Sequence, residues 1–406
     1  FYTPIRNSQF TIRNGLQPLW CGVFMMHKTA LHERHRALGA KMTDFHGWEM
    51  PLYYTGILEE HAAVRQALGV FDISHMGQVL VTGADAVRTL NHVMVSDISQ
   101  VGKHRACYTL MLNDTGGIID DLIVYRIGEA DYLVIVNCGN RTIDVEWLTA
   151  RREGETAITD ISQGRSILAV QGPLSSRVLE HMIDAKVAGL GRFEIAPIRT
   201  MGPDACLART GYTGGDGFEL FLPDHHAKRL WESILASGAK PIGLGARDTL
   251  RVEAGLRLYG TDMDTTTSPF EAGLDWTVAM NKPAFIGKEA LVRQRQQGLA
   301  KRLVGFELSQ GPVPRTGMEL LADVGGATRR VGIVTSGTFS PILKRPLGMG
   351  YVEPVFTAPG TVLTVIVRNQ RYHGTVVKLP FWKGESAQPT LTGSNPPAKE
   401  LHAGTR

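Results

Sequence analysis

Two adjacent carboxylates inside an apolar stretch are the strongest candidates for chemistry in this sequence. Asp120 and Asp121 follow a Gly-Gly pair and precede a Leu-Ile-Val-Tyr run, which is typical of a buried strand. Successive strand side chains point to opposite faces, so we expect one aspartate to face the interior or a cleft. Such a carboxylate is paired, hydrogen-bonded or functional, because burying it alone is costly. The alternative is turn chemistry, in which one aspartate bonds the Gly-Gly turn and the other is solvated.

Two further segments carry groups that could bind a ligand. A glycine-dense loop over residues 211–217 leads into the apolar run Phe-Glu-Leu-Phe-Leu, which contains Glu219. Glycines permit close backbone approach to a ligand, but they also simply make turns. Arg247 follows Gly243 and Gly245, and it could serve as a salt-bridge partner or as a ligand for a carboxylate. Buried carboxylates suit a heterocycle with N–H donors, and an arginine suits an acidic tail.

The sequence gives no pattern for a metal site. The four cysteines lie far apart without a CxxC pair, so neither a zinc site nor a disulfide framework is indicated. Asp262 and Asp264 could begin a calcium loop, but no glycine or closing glutamate follows at the needed spacing. His75 could act as a base, although a lone histidine is more often structural. We therefore expect no metal.

Composition restricts the class of protein. The chain has 406 residues, of which 43% are hydrophobic and 20% charged, values typical of a soluble globular protein with two or three domains. The net charge of +4 comes without a run of Lys and Arg, which argues against a nucleic-acid partner. No apolar segment is long enough to cross a bilayer, so we expect no membrane partner.

The candidate residues must be positioned by a mixture of helices and strands. Hydrophobic periodicity predicts helices over residues 29–38, 58–68, 84–93 and 141–151, and strands over 78–81 and 133–137 beside the aspartate pair. This mixture favours an α+β or α/β body. Beyond Leu299, short β-like runs over 304–308, 330–334, 362–367 and 372–379 predict a small all-β barrel or sandwich.

Both ends of the chain differ from the rest in composition. The start contains Arg6, Arg13 and Lys28, and no acidic residue appears before Glu33. It could be an organellar transit peptide, but we favour upstream sequence translated in frame before a start at Met25 or Met26. We expect residues 1–26 to be an extension that is disordered or not native. Residues 386–406 are rich in Gly, Ser and Pro, and we expect a disordered tail.

Several motifs together resemble those of one known family. They are residues 44–51, 71–77, 120–121, 170–173, 210–219, 243–248, 259–264 and 335–341. In this order they resemble the aminomethyltransferase (T-protein) family of the glycine cleavage system, over about residues 28–382.

The resemblance implies a fold. It is an α+β, three-domain cloverleaf folate-binding aminomethyltransferase fold, with tetrahydrofolate in a central hole and a C-terminal all-β barrel domain. Residues 27–298 would form the folate-binding region as two intertwined α+β domains, and residues 299–385 the barrel.

The resemblance also implies a reaction and its partners. The aminomethyl group arrives on the lipoyl arm of the H-protein, and its carbon passes to tetrahydrofolate, the co-substrate. The products are 5,10-methylenetetrahydrofolate, ammonia and dihydrolipoyl H-protein. The expected location is the bacterial cytoplasm, or the mitochondrial matrix if the start is a transit peptide.

The resemblance assigns roles to individual residues. Asp121 matches the essential aspartate, which holds and polarises the attacking folate nitrogens, with proton handling a secondary role. Asp120 is left to bond the Gly-Gly turn. The positions that match folate-binding residues of the family are Met76, Tyr108, Asn137, Tyr212, Glu219 and Arg247.

Two other functions stay open. A folate-dependent demethylase of a methylated amine or sulfur compound would keep most of the same site. A non-enzymatic folate-binding protein that assists iron–sulfur maturation is the other alternative, but its Lys-Gly-Cys-x-x-Gly-Gln-Glu motif is absent here. The related flavoenzymes are disfavoured, because the sequence has neither an upstream FAD domain nor a complete GxGxxG motif.

Overall fold

The computed structural model describes residues 26–185 and 187–384. The predicted tail over 386–406 lies outside the described residues, as does the predicted extension apart from Met26. The α-helices of the described part are α1 (His32–Ala37), α2 (Ile57–Gln66), α3 (Ala86–Val93), α4 (Arg141–Ala150), α5 (Ser175–Glu180), α6 (Asp224–Ala236), α7 (Leu244–Glu253) and α8 (Lys288–Gln297). No helix in this part of the chain is long and apolar enough to span a bilayer.

The strands of the described residues form two open sheets, a hairpin and a barrel. In chain order they are β1 (Lys41–Phe45), β2 (Trp48–Tyr53), β3 (Gly69–Asp72), β4 (Gly77–Thr82), β5 (Ala106–Leu112), β6 (Ile118–Arg126), β7 (Asp131–Val136), β8 (Ala157–Asp160), β9 (Arg165–Gln171), β10 (Ile195–Pro197), β11 (Cys206–Ala208), β12 (Gly217–Pro223), β13 (Lys240–Pro241), β14 (Arg302–Leu308), β15 (Glu319–Val324), β16 (Ala327–Ser340), β17 (Arg345–Val352), β18 (Val362–Val367) and β19 (Gln370–Val377).

The two open sheets are built from interleaved parts of the chain. One has the order β5-β6-β7-β4-β8, and the other has the order β10-β11-β12-β9-β3-β13. Because β3 precedes and β9 follows the whole five-stranded sheet in sequence, the chain starts the six-stranded sheet, leaves it and returns. β6 and β12, which carry the candidate carboxylates, therefore belong to different sheets.

A shared hydrophobic core joins these sheets. It contains Tyr125 and Leu133 from the five-stranded sheet, Phe71 and Phe221 from the six-stranded sheet, and Leu250 from α7. All are nearly or fully buried, and burial of such a side chain contributes about 1.5–3 kcal/mol. The core thus holds the inner faces of β6 and β12 and one side of α7 against one another.

The C-terminal strands close into a six-stranded barrel, with the order β14-β17-β16-β15-β18-β19. Its core is tight enough to require glycine at one position, since a Cβ on Gly348 would lie 2.2 Å from Cζ of Phe306. The predicted α+β fold class with a C-terminal all-β barrel is confirmed, and the sandwich alternative is wrong. The domain boundaries at residues 27, 299 and 385 stay predictions.

Buried polar contacts attach the barrel to α7. Arg251 pairs with Asp262, and its second terminal nitrogen donates to Oγ of Ser336 on β16 at 2.8 Å. Nearby, Glu253 accepts a hydrogen bond from Nε of Arg65 at 2.7 Å. These contacts fix the helix that carries Arg247 relative to both α2 and the barrel.

Most elements predicted from periodicity are present, with boundaries shifted by a few residues. The omissions include helix α6, which with 13 residues is the longest of the described helices, and the β1–β2 hairpin, whose second strand contains Pro51. Proline lacks a donor, but it is tolerated in an edge strand such as one of a two-stranded hairpin.

Candidate functional site

Strand β6 presents its two aspartates to different surroundings. Asp120 lies on the face that, through Leu122, packs into the core beneath α3 and α4. Asp121 lies on the opposite face, four residues before Tyr125, which packs between the two sheets. Asp120 is fully buried, whereas Asp121 is partly exposed. Asp120 is therefore buried under the helices that cover this sheet, whereas Asp121 lies on the side of the strand that faces the other sheet.

Asp121 is held by two side chains from neighbouring strands. The hydroxyl of Tyr108 on β5 donates to its Oδ2 at 3.0 Å, and Nδ2 of Asn137, directly after β7, donates to its Oδ1 at 3.0 Å. Burial and the negative charge of Asp120 raise the pKa of Asp121 to about 7, although both hydrogen bonds favour the ionised form. A carboxyl with this pKa can accept or release a proton near neutrality.

Asp120 does not bond the Gly-Gly turn, so that expectation is wrong. The amide of Gly117 instead donates to Oδ1 of Asn113 at 2.9 Å. Asp120 lies beyond the turn, inside the strand, where it accepts hydrogen bonds from the backbone amide of Asn137 at 3.1 Å and from its Nδ2 at 2.8 Å. Nδ2 of Asn140 adds a third hydrogen bond at 3.1 Å. Asp120 thereby fixes the side chain that also contacts Asp121.

Glu219 is a second carboxylate on the surface between the sheets. It lies on β12, is 8% exposed, and accepts a hydrogen bond at Oε2 from Thr210 at 2.5 Å. The hydroxyl of Tyr125 donates to the same oxygen at 3.4 Å. Burial raises the pKa of Glu219, while the Thr210 hydrogen bond and the charge of Arg247 lower it. Among the described residues both of these donors meet Oε2, which leaves Oε1 for a ligand donor.

Tyr125 links the two carboxylates. Tyr125 follows Asp121 by four residues on the same face of β6, a distance of about 13 Å along the strand. Because the Tyr125 hydroxyl contacts Glu219, the two carboxylates lie at separate ends of one surface.

Arg247 supplies a cation near Glu219. Its guanidinium carbon lies 4.6 Å from the ring centroid of Tyr212, a cation–π distance. Burial lowers the pKa of Arg247, but a guanidinium stays protonated in proteins. Burial raises the pKa of Tyr212, and the charges of Asp121 and Arg247 also act on it. Its hydroxyl donates to the backbone carbonyl of Arg257.

Met76, which was predicted from the sequence, and Trp276, which was not, lie beside this surface. Met76 is partly buried and packs on the core cluster that contains Tyr125. Trp276 stacks on Tyr108, with ring centroids 5.7 Å apart and 25° between the planes, and is 41% exposed. A single tryptophan gave no sequence signal for this contact. Tyr125 could have been found from its i+4 spacing to Asp121.

The arrangement can bind a flat molecule with N–H donors at one end and a reacting nitrogen at the other. Glu219 offers an acceptor in a buried setting, Arg247 offers a guanidinium nearby, and Asp121 offers an acceptor of near-neutral pKa. A pterin with its attached arm has this distribution of donors and acceptors. The residues present thus fit tetrahydrofolate.

Comparisons with known proteins give a consistent result. Residues 31–282 match the model of the GCVT N-terminal domain, and residues 301–383 match that of the glycine cleavage T-protein C-terminal barrel domain. The aminomethyltransferase of Halothermothrix orenii is 43% identical over 360 residues, which is 88% of this chain and 100% of that protein. The aminomethyltransferase of Rubrobacter xylanophilus is 43% identical over 366 residues, covering 90% of this chain and 96% of that protein.

A solved structure is also similar over nearly its full length. The crystal structure of glycine cleavage system aminomethyltransferase T from Bartonella henselae has a TM-score of 0.83 and 35% sequence identity. The match covers 88% of this chain and 99% of that one.

Proposed function

We propose that this chain, which belongs to the glycine cleavage T-protein (aminomethyltransferase) family, transfers the methylene carbon of an aminomethyl-lipoyl group to tetrahydrofolate. The chain is an aminomethyltransferase, as its relatives over most of its length are. The donor arm belongs to the H-protein, and the products are 5,10-methylenetetrahydrofolate, ammonia and dihydrolipoyl H-protein. The bacterial relatives support a location in the bacterial cytoplasm.

The setting of Asp121 is the observation that supports this proposal most. Its carboxyl is partly exposed, is oriented by Tyr108 and Asn137 from two neighbouring strands, and has a pKa of about 7. A carboxylate there accepts an N–H of the folate and so holds the attacking nitrogen against the carbon. The same carboxyl can take up the proton that leaves this nitrogen.

The other site residues have binding roles in the proposal. Glu219 accepts hydrogen bonds from the pterin ring through its remaining oxygen, and Arg247 contributes positive charge near that end. Met76 and Tyr212 contact the ring, and Tyr108 and Asn137 contact the ligand while they hold Asp121. Bound tetrahydrofolate supplies the nucleophilic nitrogens, and the protein supplies their position.

Orientation accounts for the scale of the expected rate enhancement. The transferred carbon already lies between sulfur and nitrogen, so the protein need not create a strong nucleophile or a covalent intermediate. Holding two reactants in a reactive geometry contributes about 7–11 kcal/mol, and one positioned acid–base group adds about 10²–10⁴-fold.

A donor comparison tests the proposal. Purified protein is supplied with tetrahydrofolate and either aminomethylated H-protein or a methylated amine or sulfur donor, and formation of methylene- or methyltetrahydrofolate is followed. We expect turnover with aminomethylated H-protein. Turnover only with the methylated donors would favour a demethylase, and folate binding without turnover of any donor would favour a non-enzymatic folate-binding protein.

A further inference from the structure

A third aspartate lies directly behind the aspartate pair. Asp144 is in the first turn of α4 and is fully buried. Among the residues that the structure describes, neither of its carboxyl oxygens meets a hydrogen-bond donor. A buried ionised carboxylate without partners is strongly unfavourable, so this side chain requires an explanation.

A second buried carboxyl group, that of Asp120, is connected to Asp144 through Asn140. Nδ2 of Asn140 donates to Oδ1 of Asp120 at 3.1 Å, and the carbonyl of Asn140 accepts a hydrogen bond from the backbone amide of Asp144 at 2.8 Å. The two carboxyl groups also affect each other's pKa. Two carboxylates cannot bond to each other, because neither has a donor, and two negative charges close together in a buried setting repel each other strongly. One proton between them removes the repulsion and supplies the missing donor.

The proton belongs on Asp144 rather than on Asp120. Asp120 accepts three N–H donors from Asn137 and Asn140, all of which favour its ionised form. Asp144 meets no such donor within residues 26–185 and 187–384, and burial together with the charge of Asp120 raises its pKa to about 10. The dipole at the start of α4 favours ionisation, but its effect is smaller than the combined effect of burial and repulsion.

We propose that Asp144 is a protonated positioning residue that donates a hydrogen bond to Asp120, and that this shared proton fixes Asn137 and thereby orients Asp121. Nδ2 of Asn137 lies 2.8 Å from Oδ1 of Asp120 and 3.0 Å from Oδ1 of Asp121. The hydrogen of Asp144 completes the set of donors around Asp120. Asp120 then holds Asn137 in the one orientation that serves both carboxylates.

Other titratable groups surround this pair. The charge of Asp120 affects the pKa of Asp121, which is adjacent on β6 but on the opposite face, of Cys138 after β7, and of Tyr259 in the loop after α7. Burial raises the pKa of Cys138 to about 11 and that of Tyr259 to about 12. Both are neutral near pH 7, so neither adds a further negative charge beside the pair. On α4 itself, Arg141 is engaged by Asp160 at 2.6 Å.

An infrared measurement tests the protonation without any assay of activity. At about pH 8.5, which lies between the pKa values of Asp121 and Asp144, we expect a C=O stretching band of a protonated carboxyl in the wild-type protein. The band should vanish in Asp144→Asn and persist in a control, Asp131→Asn, which alters an exposed aspartate of β7. A wild-type protein without the band, or a band that survives in Asp144→Asn, would overturn the proposal.

Activity then tests the positioning role, which rests on the proposed function of Asp121. The amide of Asp144→Asn is neutral and still donates to Asp120, so we expect kcat within about threefold of wild type and an unchanged acid limb of the pH profile. Asp144→Ala removes the donor, and misplacement on the scale of 1 Å costs up to about 10²-fold. We expect kcat to fall at least tenfold, with a smaller change in the KM for tetrahydrofolate.

Several results would contradict the positioning role. An alanine variant with wild-type kcat would do so, as would an asparagine variant as impaired as the alanine variant. If Asp144 were ionised, Asp144→Asn would remove a negative charge and shift the acid limb to lower pH by about one unit.

Thermal unfolding identifies an alanine variant that fails to fold, in which case the asparagine variant and the infrared band decide. If the wild-type protein lacks transfer activity, the proposed function is wrong. The infrared band still tests the protonation of Asp144 in that case, because it does not depend on activity.

Discussion

Removal of one hydroxyl should shift the pH dependence of the reaction. In Tyr108→Phe the ring still stacks on Trp276, but Oδ2 of Asp121 loses the donor at 3.0 Å. A hydrogen bond to a charged group contributes about 1.5–3 kcal/mol, and 1.36 kcal/mol corresponds to one pKa unit. Because the lost bond favoured the ionised form, the pKa of Asp121 should rise from about 7 to about 8–9.

Activity at neutral pH should fall, because the ionised carboxylate of Asp121 is the active form. A higher pKa leaves less carboxylate at a given pH, so the ionised fraction at pH 7 should fall from about one half to about one tenth or less. The acid limb of kcat/KM, which reports the free enzyme, should move to higher pH by one to two units. Activity should recover toward the wild-type value once the pH exceeds the new pKa.

The assay is the pH profile of kcat/KM with aminomethylated H-protein and tetrahydrofolate. Tyr132→Phe is the matched control, because Tyr132 is a buried tyrosine of the same sheet that points to the opposite, helical face. The control should keep the wild-type acid limb. An acid limb in Tyr108→Phe that stays in place or moves to lower pH would refute the reasoning about Asp121.

Two further predictions concern ligand affinity and stability. Glu219→Gln should weaken tetrahydrofolate binding about tenfold to a hundredfold with a smaller effect on kcat, since a neutral amide replaces the charged acceptor of the pterin hydrogen bonds; calorimetric titration measures this, and an unchanged Kd would contradict it. Arg251→Met should lower the free energy of unfolding by about 3–5 kcal/mol, because it leaves Asp262 buried without its partner. Urea unfolding measures that loss, with Arg329→Met, at an exposed ion pair, as the control; equal losses in both variants would contradict it.

The sequence predicted the alternation at the aspartate pair but not the surroundings of each face. Strand geometry required the side chains of Asp120 and Asp121 to point to opposite faces of β6, and their different burial agrees with this. It could not determine that α4 covers one face of β6 and the six-stranded sheet the other, since that depends on contacts distant in sequence. Asp120 was therefore assigned to the turn, although Asn113, three residues before Gly116, is itself a typical turn residue.

Other parts of the site depend on long-range contacts that no local pattern reveals. Tyr125 and Glu219 meet across 94 residues of sequence, and Asp144 reaches Asp120 only because α4 packs against β6. The barrel was predictable, because its strands are short and separated by Gly and Pro. Its attachment to α7 through Arg251 and Ser336 was not.

The most direct test of the central claim is a single-turnover measurement on Asp121→Asn, in which the isosteric amide keeps the size of the side chain but cannot act as a carboxylate. We expect tetrahydrofolate to bind with a Kd within about threefold of wild type, because the pterin-binding residues are untouched. The rate of carbon transfer from aminomethylated H-protein should fall by about 10²–10⁴-fold. A variant that folds, binds folate and keeps more than about a tenth of the wild-type transfer rate would contradict the role of Asp121.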